Sequence, residues 1–257
     1  MKRLEGKVGL VTGAGRGLGR ACAQILAREG ASVVVADMVA ETGEDTVRLI
    51  EEAGGKAVFA LTDVSKQDQV QAMVRTAVDA FGGLDCAINN AAAFGGRTPV
   101  GDLAVEEWNR LMSVNFTGVF MCMKYEIQAM LERGGGAIVN IGSGNEHSAV
   151  GGLSWYLAAK QGIYAATRCA AIEYGPKGIR LNSVGPGTMW TPGMRETAEK
   201  EPHHIEHLAS LTPLQRIAEP EEVAEVAVFL CTDQASYVTG HTMLAEGGAV
   251  LGQVFKM

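Results

Sequence analysis

Residues 7–37, KVGLVTGAGRGLGRACAQILAREGASVVVAD, contain the pattern that decides the fold. The apolar run at 7–12 predicts a buried strand that leads directly into a glycine-rich turn. Residues 20–28 have helical spacing, and the apolar run at 31–37 predicts a second strand. The stretch therefore predicts a strand, a helix and a strand in succession, the unit from which parallel sheets are built.

The glycine-rich turn reads Thr12-Gly13-Ala14-Gly15-Arg16-Gly17-Leu18-Gly19. Backbone N–H groups of such a turn, with the positive end of the following helix, favour a pyrophosphate. A glycine cluster alone is also compatible with a tight loop that needs positive φ angles. Asp37 decides for the first, because a carboxylate about 20 residues after the turn is placed to bind an adenosine ribose. The predicted dinucleotide-binding residues of the turn are Gly13, Arg16, Gly17, Leu18 and Gly19.

Asp37 also bears on the type of dinucleotide. Its carboxylate can accept hydrogen bonds from both ribose hydroxyls of NAD, whereas the 2′-phosphate of NADP would meet its negative charge. Met38, the next residue in this predicted site, supplies no compensating cation. Arg16 is the contrary indication, because a guanidinium beside the turn could pair with a 2′-phosphate. We predict NAD as the cofactor and NADP as the less favoured alternative.

Further apolar runs alternate with helical patterns along the chain. Strands are predicted at residues 56–61, 84–89, 138–141, 179–184 and 242–245, and helices at 41–53, 65–81, 106–133, from 155 onward, and at 221–230. The alternation predicts an α/β fold with a doubly wound, mostly parallel sheet of Rossmann type, about seven strands and helices on both faces. No Pro/Ser-rich linker divides residues 1–257, so a single domain is expected. Residues 188–213 lack a clear strand and are predicted to form a substrate lid.

The composition argues against several classes of partner. A net charge of −7 and an isoelectric point near 5.3 disfavour nucleic acid. The apolar run after the basic residues near the amino terminus is too short for a signal or membrane helix, so no membrane partner is expected. The five cysteines are scattered and odd in number, which is typical of reduced thiols. We expect a cytoplasmic protein.

Residues 138–160 carry the candidate chemistry. Ser143 follows the predicted strand at 138–141, and Tyr156 and Lys160 lie one helical turn apart on the next helix. Tyrosine has a pKa of about 10 and is an effective base only when its phenolate is stabilised. A lysine about 5 Å away contributes roughly 3 kcal/mol at an effective dielectric constant of about 20, which would bring the pKa of Tyr156 towards neutral pH. Burial opposes this shift, and a second positive charge such as an oxidised nicotinamide would support it.

Polar residues near other predicted strand ends are further candidates. Asp63 and Val64 follow residues 56–61 and are predicted to line an adenine pocket, although Asp63 could also cap the next helix. Asn90 follows the next strand and is predicted to bind the cofactor, at a position where a side-chain amide can also tie neighbouring loops together. A purely structural role is open for Asn89. Asn115 is unfavourable inside a helix, which suggests a local distortion that frees a backbone carbonyl.

Three histidines, His203, His204 and His207, have a spacing that could bind a metal on a helix. A solvated lid helix accounts for them without a metal, and the sequence offers no evident fourth ligand. We therefore predict no metal site.

In their order and spacing, these motifs resemble the short-chain dehydrogenase/reductase family, in its common form of about this length. The resemblance covers about residues 4–250 and is carried by Thr12-Gly13-x-x-x-Gly17-x-Gly19, Asn89-Asn90-Ala91, Asn115, Ser143, Tyr156-x-x-x-Lys160 and Pro186-Gly187. Tyr156 and Lys160 alone could be a chance pair on a helix surface, but the surrounding motifs argue against chance. The family usually has Gly at the position of Ala92, Ser at that of Gly142 and Asp at that of Glu246.

The resemblance implies a catalytic tetrad. Tyr156 would be the acid/base, Lys160 would lower its pKa and hold the nicotinamide ribose, and Ser143 would orient the substrate oxygen. Asn115 would position a water that links Lys160 to solvent in a proton relay.

The resemblance also implies further cofactor contacts and an assembly. Pro186, Met189 and Thr191 would lie beside the nicotinamide. Family members are usually tetramers or dimers that pack the helices containing Asn115 and Tyr156 against symmetry mates. A homo-oligomer is therefore implied, with a tetramer favoured over a dimer.

The implied reaction interconverts a small secondary alcohol and its ketone. The candidate substrate-binding residues are Phe94, Ser143, Asn145, Leu153, Trp190 and Met194. The apolar members suit a cyclic, aromatic or dihydrodiol-like alcohol, whereas Asn145 and Glu146 would suit a sugar or polyol. His147 could be a second acid/base or a solvent-exposed loop residue. Alternatives are an NADPH-dependent reductase of 3-oxoacyl thioesters and, more remotely, a non-enzymatic dinucleotide sensor.

Overall fold

The apolar runs of the sequence form the strands of one sheet. The structure, a computed structural model, describes residues 2–144 and 149–251. The strands are β1 (Val8–Thr12), β2 (Ser32–Asp37), β3 (Lys56–Leu61), β4 (Cys86–Asn89), β5 (Gly136–Ile141), β6 (Ile179–Pro186) and β7 (Thr242–Ala245). They lie in the order β3-β2-β1-β4-β5-β6-β7, and every neighbouring pair is parallel. The predicted doubly wound sheet in a single domain is confirmed.

Helices cover both faces of this sheet. They are α1 (Gly17–Arg28), α2 (Ala40–Glu52), α3 (Gln67–Phe81), α4 (Val105–Met112), α5 (Val119–Arg133), α6 (Ser154–Tyr174), α7 (Pro192–Lys200), α8 (Pro202–Ser210) and α9 (Pro220–Cys231). Side chains of β1 show why its sequence is apolar throughout: Val11 joins the core under α1 and α9, and Leu10 joins the core under α3, α5 and α6. Both faces of a central parallel strand are buried, so polar alternation is absent. Among the described helices, none combines the length and apolarity needed to cross a bilayer.

The strand order reverses direction at β1. The chain moves outward from β1 to β2 and β3, then returns to place β4 on the other side of β1. Loops that leave β1 and β4 therefore diverge and open a crevice at the carboxyl edge of the sheet, where ligands bind in folds of this kind. The glycine-rich turn after β1, Asn90 after β4 and Ser143 after β5 all lie at this edge.

The predicted helix at 106–133 is interrupted. A π-helical turn, Ser113–Gly118, separates α4 from α5, so the prediction of one continuous helix is wrong and the predicted distortion at Asn115 is confirmed. The Nδ2 of Asn115 donates to the carbonyl of Leu111, four residues earlier, at 2.9 Å. The side chain thus competes for a carbonyl that an α-helix would use itself, which favours the wider turn.

The segment predicted as a strand-free lid forms two short helices. Both α7 and α8 begin with a proline at the first turn, where its missing N–H costs nothing. Thr191 caps α7, because its side-chain oxygen accepts from the N–H of Met194 at 3.3 Å. No strand of the sheet crosses residues 188–213, as expected, and a lid function stays a prediction.

A buried polar chain crosses the centre of the molecule. The amide of Asn89 donates to Glu126 Oε2 at 2.9 Å and to Asn140 Oδ1 at 3.0 Å. Asn140 in turn donates to Thr167, to which Ser183 also donates. All five side chains are buried. Burial raises the pKa of Glu126 to about 8, although the hydrogen bond from Asn89 opposes the shift.

The raised pKa makes the stability of the protein depend on pH. In the unfolded chain Glu126 loses its proton near its ordinary value, whereas the folded protein keeps the proton up to about pH 8. The folded state thus binds the extra proton, and stability falls as pH rises through this window. In Glu126→Gln this contribution is absent. Its free energy of unfolding should therefore rise relative to the wild type by about 2 kcal/mol between about pH 5.5 and about pH 7.5.

Denaturant unfolding at several pH values measures this difference. Glu132→Gln, an exposed substitution on the same helix, is the matched control and should follow the wild type. Lys160, whose pKa burial lowers to about 8, acts in the opposite direction only above that pH. Parallel pH profiles for Glu126→Gln and the wild type would contradict a neutral, buried Glu126.

Candidate active site at the carboxyl edge of the sheet

The glycine-rich turn is held against the end of β4. Gly13 and Gly17 adopt φ angles of +63° and +55°, which favour glycine. The amide of Asn90 donates to the carbonyls of Thr12 and Gly13 at 3.0 and 3.1 Å and so ties the two loops together, whereas a contact of Asn90 with the cofactor stays a prediction. A Cβ at Gly19 would lie 2.1 Å from the Gly13 carbonyl oxygen, so only glycine allows this close approach of turn and helix.

Asp37 lies directly beside this turn. Its Oδ2 accepts from the Gly15 N–H at 2.8 Å, and its Oδ1 accepts from the Val39 N–H at 3.0 Å. Met38 is 68% exposed next to it. Arg16 is exposed, and its guanidinium is the cation of the turn itself. The carboxylate is therefore fixed in place before any ligand binds.

Asp63 and Val64 follow β3 as predicted. Asp63 Oδ1 accepts from both the N–H and the hydroxyl of Ser65, at 2.9 and 2.7 Å, within the loop before α3. The amino cap of α3 is Lys66, without a side-chain cap hydrogen bond, so the predicted capping role of Asp63 is wrong. Val64 is buried, and it lies against Gly118, where an added Cβ would be 2.9 Å from its Cγ2. An adenine contact from either residue stays a prediction.

Ser143, Tyr156 and Lys160 come together at the end of β5. Ser143 is buried and hydrogen-bonds to the side chain of Tyr156. Lys160 is also buried, and its Nζ lies 5.8 Å from the centroid of the Tyr156 ring. The same Nζ donates to the carbonyl of Ile141 at 2.9 Å. The one-turn spacing on α6 thus places a phenol and an ammonium beside each other, as the sequence predicts.

Burial controls the protonation of this group. It raises the pKa of Tyr156, with the hydrogen bond from Ser143 acting in the opposite direction. Burial also lowers the pKa of Lys160 to about 8. The net shift of Tyr156 is therefore opposite to the one predicted from the lysine alone, because the cost of desolvating a phenolate is larger here. A further positive charge beside the phenol would oppose the effect of burial and favour the phenolate.

Asn115 is fully buried near this group. Its Nδ2 donates to the carbonyls of Ala93 and Leu111, both at 2.9 Å. Its Oδ1 accepts no hydrogen bond from any described residue. An unused acceptor in a buried site is compatible with an ordered water, but the proton relay stays a prediction.

The chain after β6 runs along the glycine-rich turn. A Cβ at Gly17 would lie 3.8 Å from both Thr191 and Pro192, so the start of the lid segment is adjacent to the turn. Trp190 lies under the guanidinium of Arg195, 5.5 Å from the ring centroid, and lines a groove of about 200 Å³ that α1 borders. Contacts of Pro186, Met189 and Thr191 with a nicotinamide, and of Trp190 with substrate, stay predictions.

The remaining candidates differ in how far they are buried and in whether the structure describes them. Phe94 is 79% exposed, and Leu153 and Met194 are half-buried. Asn145, Glu146 and His147 lie outside the described residues. On α8, His203 approaches Glu206 at 3.4 Å. Across residues 2–144 and 149–251, no group of three or more His, Cys, Asp or Glu side chains is arranged to hold a metal ion.

Two residues with no role in the sequence-based site stand out in the structure. Tyr164, which lies within the helix predicted from residue 155 onward, hydrogen-bonds through its hydroxyl to the backbone of Ser143. Glu126 binds Asn89, whose neighbour Asn90 holds the glycine-rich turn. The one signal for Tyr164 in the sequence is Gly142, which replaces the Ser usual in the family that the motifs resemble.

Known proteins resemble the chain over nearly its full length. A family model described as enoyl-(acyl carrier protein) reductase matches residues 13–250. The 2,5-dichloro-2,5-cyclohexadiene-1,4-diol dehydrogenase of Sphingobium indicum is 41% identical, covering 96% of this chain and 98% of the relative. Cyclohexanol dehydrogenase of Acinetobacter sp. (strain SE19) is 41% identical, covering 95% of both. A solved structure from Sinorhizobium meliloti 1021, assigned as a short-chain alcohol dehydrogenase, has a TM-score of 0.91 and 34% identity, covering 97% of this chain and 98% of that chain.

The chain belongs to the short-chain dehydrogenase/reductase family. Membership implies an oxidoreductase with a nicotinamide dinucleotide cofactor. The residues of this member fit such a group. The turn approaches α1 so closely at Gly19 that only glycine is accommodated, and no described side chain caps the amino terminus of α1. The helix N–H groups therefore remain available for a pyrophosphate, and a contact of Asp37 with the ribose stays a prediction.

Proposed function

We propose that this protein is an NAD-dependent dehydrogenase of secondary alcohols carried on a ring, and that it also catalyses the reverse reduction of the ketone. The observation that carries the proposal is the cluster of Ser143, Tyr156 and Lys160 at the same sheet edge as the glycine-rich turn. An acid/base pair beside a dinucleotide cradle is what hydride transfer from an alcohol requires.

Each residue of the cluster has a distinct task in the proposed reaction. Tyr156 accepts the hydroxyl proton of the alcohol, and Ser143 donates a hydrogen bond to the oxygen as it becomes a carbonyl. Lys160, held by the Ile141 carbonyl, keeps positive charge beside the phenol and has donors left for a ribose hydroxyl. When bound, the oxidised nicotinamide supplies the hydride acceptor. Asn115 holds a water that returns the proton to solvent.

Asp37 supports NAD over NADP. Its carboxylate is oriented by two backbone N–H groups at the ribose end of the cradle, and the neighbouring Met38 brings no charge. Arg20, the other arginine near the turn, is engaged by the Gly15 carbonyl and Asp45, which leaves Arg16 as the cation able to approach a 2′-phosphate. One exposed guanidinium does not offset a fixed carboxylate at this position.

The names of two relatives support the substrate class. They act on cyclohexanol and on a chlorinated cyclohexadiene diol, both of which are ring alcohols. The apolar candidates Phe94, Leu153 and Met194 suit such rings. A second candidate is NADPH-dependent reduction of the 3-oxo group of acyl thioesters, which would use the same tetrad. The description of the matching family model, enoyl-(acyl carrier protein) reductase, points to acyl thioesters as a substrate class but names the reduction of a carbon–carbon double bond. A sugar or polyol remains the third candidate.

We also propose a cytoplasmic homotetramer. Phe120 on α5 and Ile172 on α6 are 53% and 79% exposed, and these helices carry the apolar surface that a symmetric interface would bury. The described cysteines are all free thiols, which suits a reducing compartment. Size-exclusion chromatography with light scattering measures the assembly, and a monomer at micromolar concentration would contradict it.

Substitution of the acid/base tests the proposed chemistry. Tyr156→Phe keeps the ring and removes the proton acceptor, so the kcat for cyclohexanol and related ring alcohols should fall about 100-fold to 10,000-fold. NAD binding, measured by calorimetry, should change little. Tyr237→Phe, at a fully exposed tyrosine, is the control. A wild-type protein that turns over thioesters with NADPH but no ring alcohol with NAD would favour the second candidate instead.

The carboxylate at the ribose position determines the cofactor preference. Asp37→Asn removes the charge but keeps an oxygen that can accept one of the two backbone hydrogen bonds. The ratio of kcat/KM for NADP to that for NAD should rise about tenfold or more, because the 2′-phosphate no longer meets a negative charge. Steady-state kinetics with both cofactors measure the ratio. Asp102→Asn, in an exposed loop, should leave it unchanged, and an unchanged ratio in Asp37→Asn would contradict the assignment.

A further inference from the structure

Tyr164 binds both backbone polar groups of Ser143. Its hydroxyl accepts from the Ser143 N–H at 2.7 Å and donates to the Ser143 carbonyl at 2.6 Å. Tyr164 is 2% exposed and lies on α6, two turns after Tyr156. One buried hydroxyl thus binds both the N–H and the carbonyl of Ser143.

The position of Ser143 beyond the end of the β4–β5 pairing follows from the lengths of these strands. The backbone N–H groups of successive residues in β5 point alternately to its two neighbours. Ala137, an odd-numbered residue, donates towards the β4 side, whereas the even-numbered Gly136 and Gly142 donate towards the β6 side. Ser143 therefore faces β4, but the pairing of β4 with β5 ends at Asn89 and Asn140. Buried backbone groups beyond that point need side-chain partners. Lys160 binds the carbonyl of Ile141, and Tyr164 binds Ser143.

Gly142 makes the space for this arrangement. A Cβ at residue 142 would lie 2.2 Å from the hydroxyl oxygen of Tyr164, far inside van der Waals contact. On the other side, a Cβ at Gly185 would lie 3.1 Å from the same oxygen. The Tyr164 hydroxyl therefore lies in close contact with the backbone at both Gly142 and Gly185. A side chain at residue 142 would exclude the hydroxyl from this position, so Tyr164 depends on glycine there.

We propose that Tyr164 is a positioning residue that fixes Ser143 in register with Tyr156. The inference deepens the proposed function and rests on it. Because Tyr156, Lys160 and Tyr164 all belong to α6, the acid/base and the backbone of Ser143 are attached to one rigid helix. Loss of the Tyr164 hydroxyl frees the Ser143 backbone and weakens the hydrogen bond between Ser143 and Tyr156.

The variant Tyr164→Phe isolates the hydroxyl. Its kcat for ring-alcohol oxidation should fall about 10-fold to 100-fold, with little change in the Kd of NAD. The hydrogen bond from Ser143 holds the pKa of Tyr156 down against burial, so the rise of kcat/KM with pH should shift to higher pH. A residue that only fills space would lower stability without moving this profile. Tyr174→Phe, on the same helix, is the matched control.

A double-mutant cycle shows whether Tyr164 acts through Ser143. In a Ser143→Ala background, Tyr164→Phe should cause no further loss of kcat and no further shift of the profile. Gly142→Ala, which drives a Cβ into the Tyr164 hydroxyl, should reproduce the loss and serves if Tyr164→Phe does not fold. Additive losses in the cycle, or a normal kcat and pH profile in Tyr164→Phe, would overturn the proposal.

A spectroscopic titration separates this proposal from the proposed function. Tyrosinate absorbance, with Tyr156→Phe subtracted, follows the ionisation of Tyr156 without any substrate. In Tyr164→Phe, Tyr156 should ionise at higher pH than in the wild type, and by the same amount as in Ser143→Ala. An unchanged titration would reject the role of Tyr164. Absence of wild-type turnover on every alcohol, together with the expected titration shift, would reject the reaction but keep the positioning role.

Discussion

The unequal ends of parallel strands are the constraint on which this structure depends. Where a strand outruns its neighbour, its buried N–H and carbonyl groups still need partners. At this carboxyl edge side chains supply them: Asn90 binds the carbonyls at the end of β1, Asp37 binds one N–H of the glycine-rich turn, and Lys160 and Tyr164 bind the end of β5. Several of the residues that complete the sheet are thus also the ones predicted to bind the cofactor.

Burial gives this edge its electrostatic character. It raises the pKa of Tyr156 and lowers that of Lys160 to about 8, so burial favours the neutral form of both groups. A positively charged ring beside Tyr156 would restore the phenolate, whereas a neutral, reduced ring would favour the phenol. Proton affinity and the redox state of the cofactor are therefore coupled in the proposed reaction, with Asp37 holding the opposite, adenosine end.

Much of the fold follows from sequence because central parallel strands give continuous apolar runs, as at 31–37. The Tyr156-x-x-x-Lys160 spacing likewise predicts, for any helix, that the two side chains lie on the same face. At Ser113–Gly118 the side chain of Asn115 takes a carbonyl that the helix backbone would otherwise bind, and a π-helical turn results. Helix propensity indicates from the sequence only that Asn115 is unfavourable there, not which distortion follows. Partners of Glu126 and Tyr164 depend on where β4 stops relative to β5. The relative lengths of two strands that are distant in sequence leave no local sequence pattern. The burial of Tyr156 also depends on distant segments, so the direction of its net pKa shift cannot be predicted from the spacing to Lys160 alone.

Attachment of the acid/base and the Ser143 backbone to α6 has an evolutionary consequence. The parts proposed to contact substrate, such as Phe94 and Met194, lie on loops and short helices outside this unit. Substitutions there can reshape the pocket without disturbing proton transfer. Selection for a new ring alcohol can then act on these outer residues while the residues of α6 stay unchanged. This is consistent with relatives that are named for different ring alcohols.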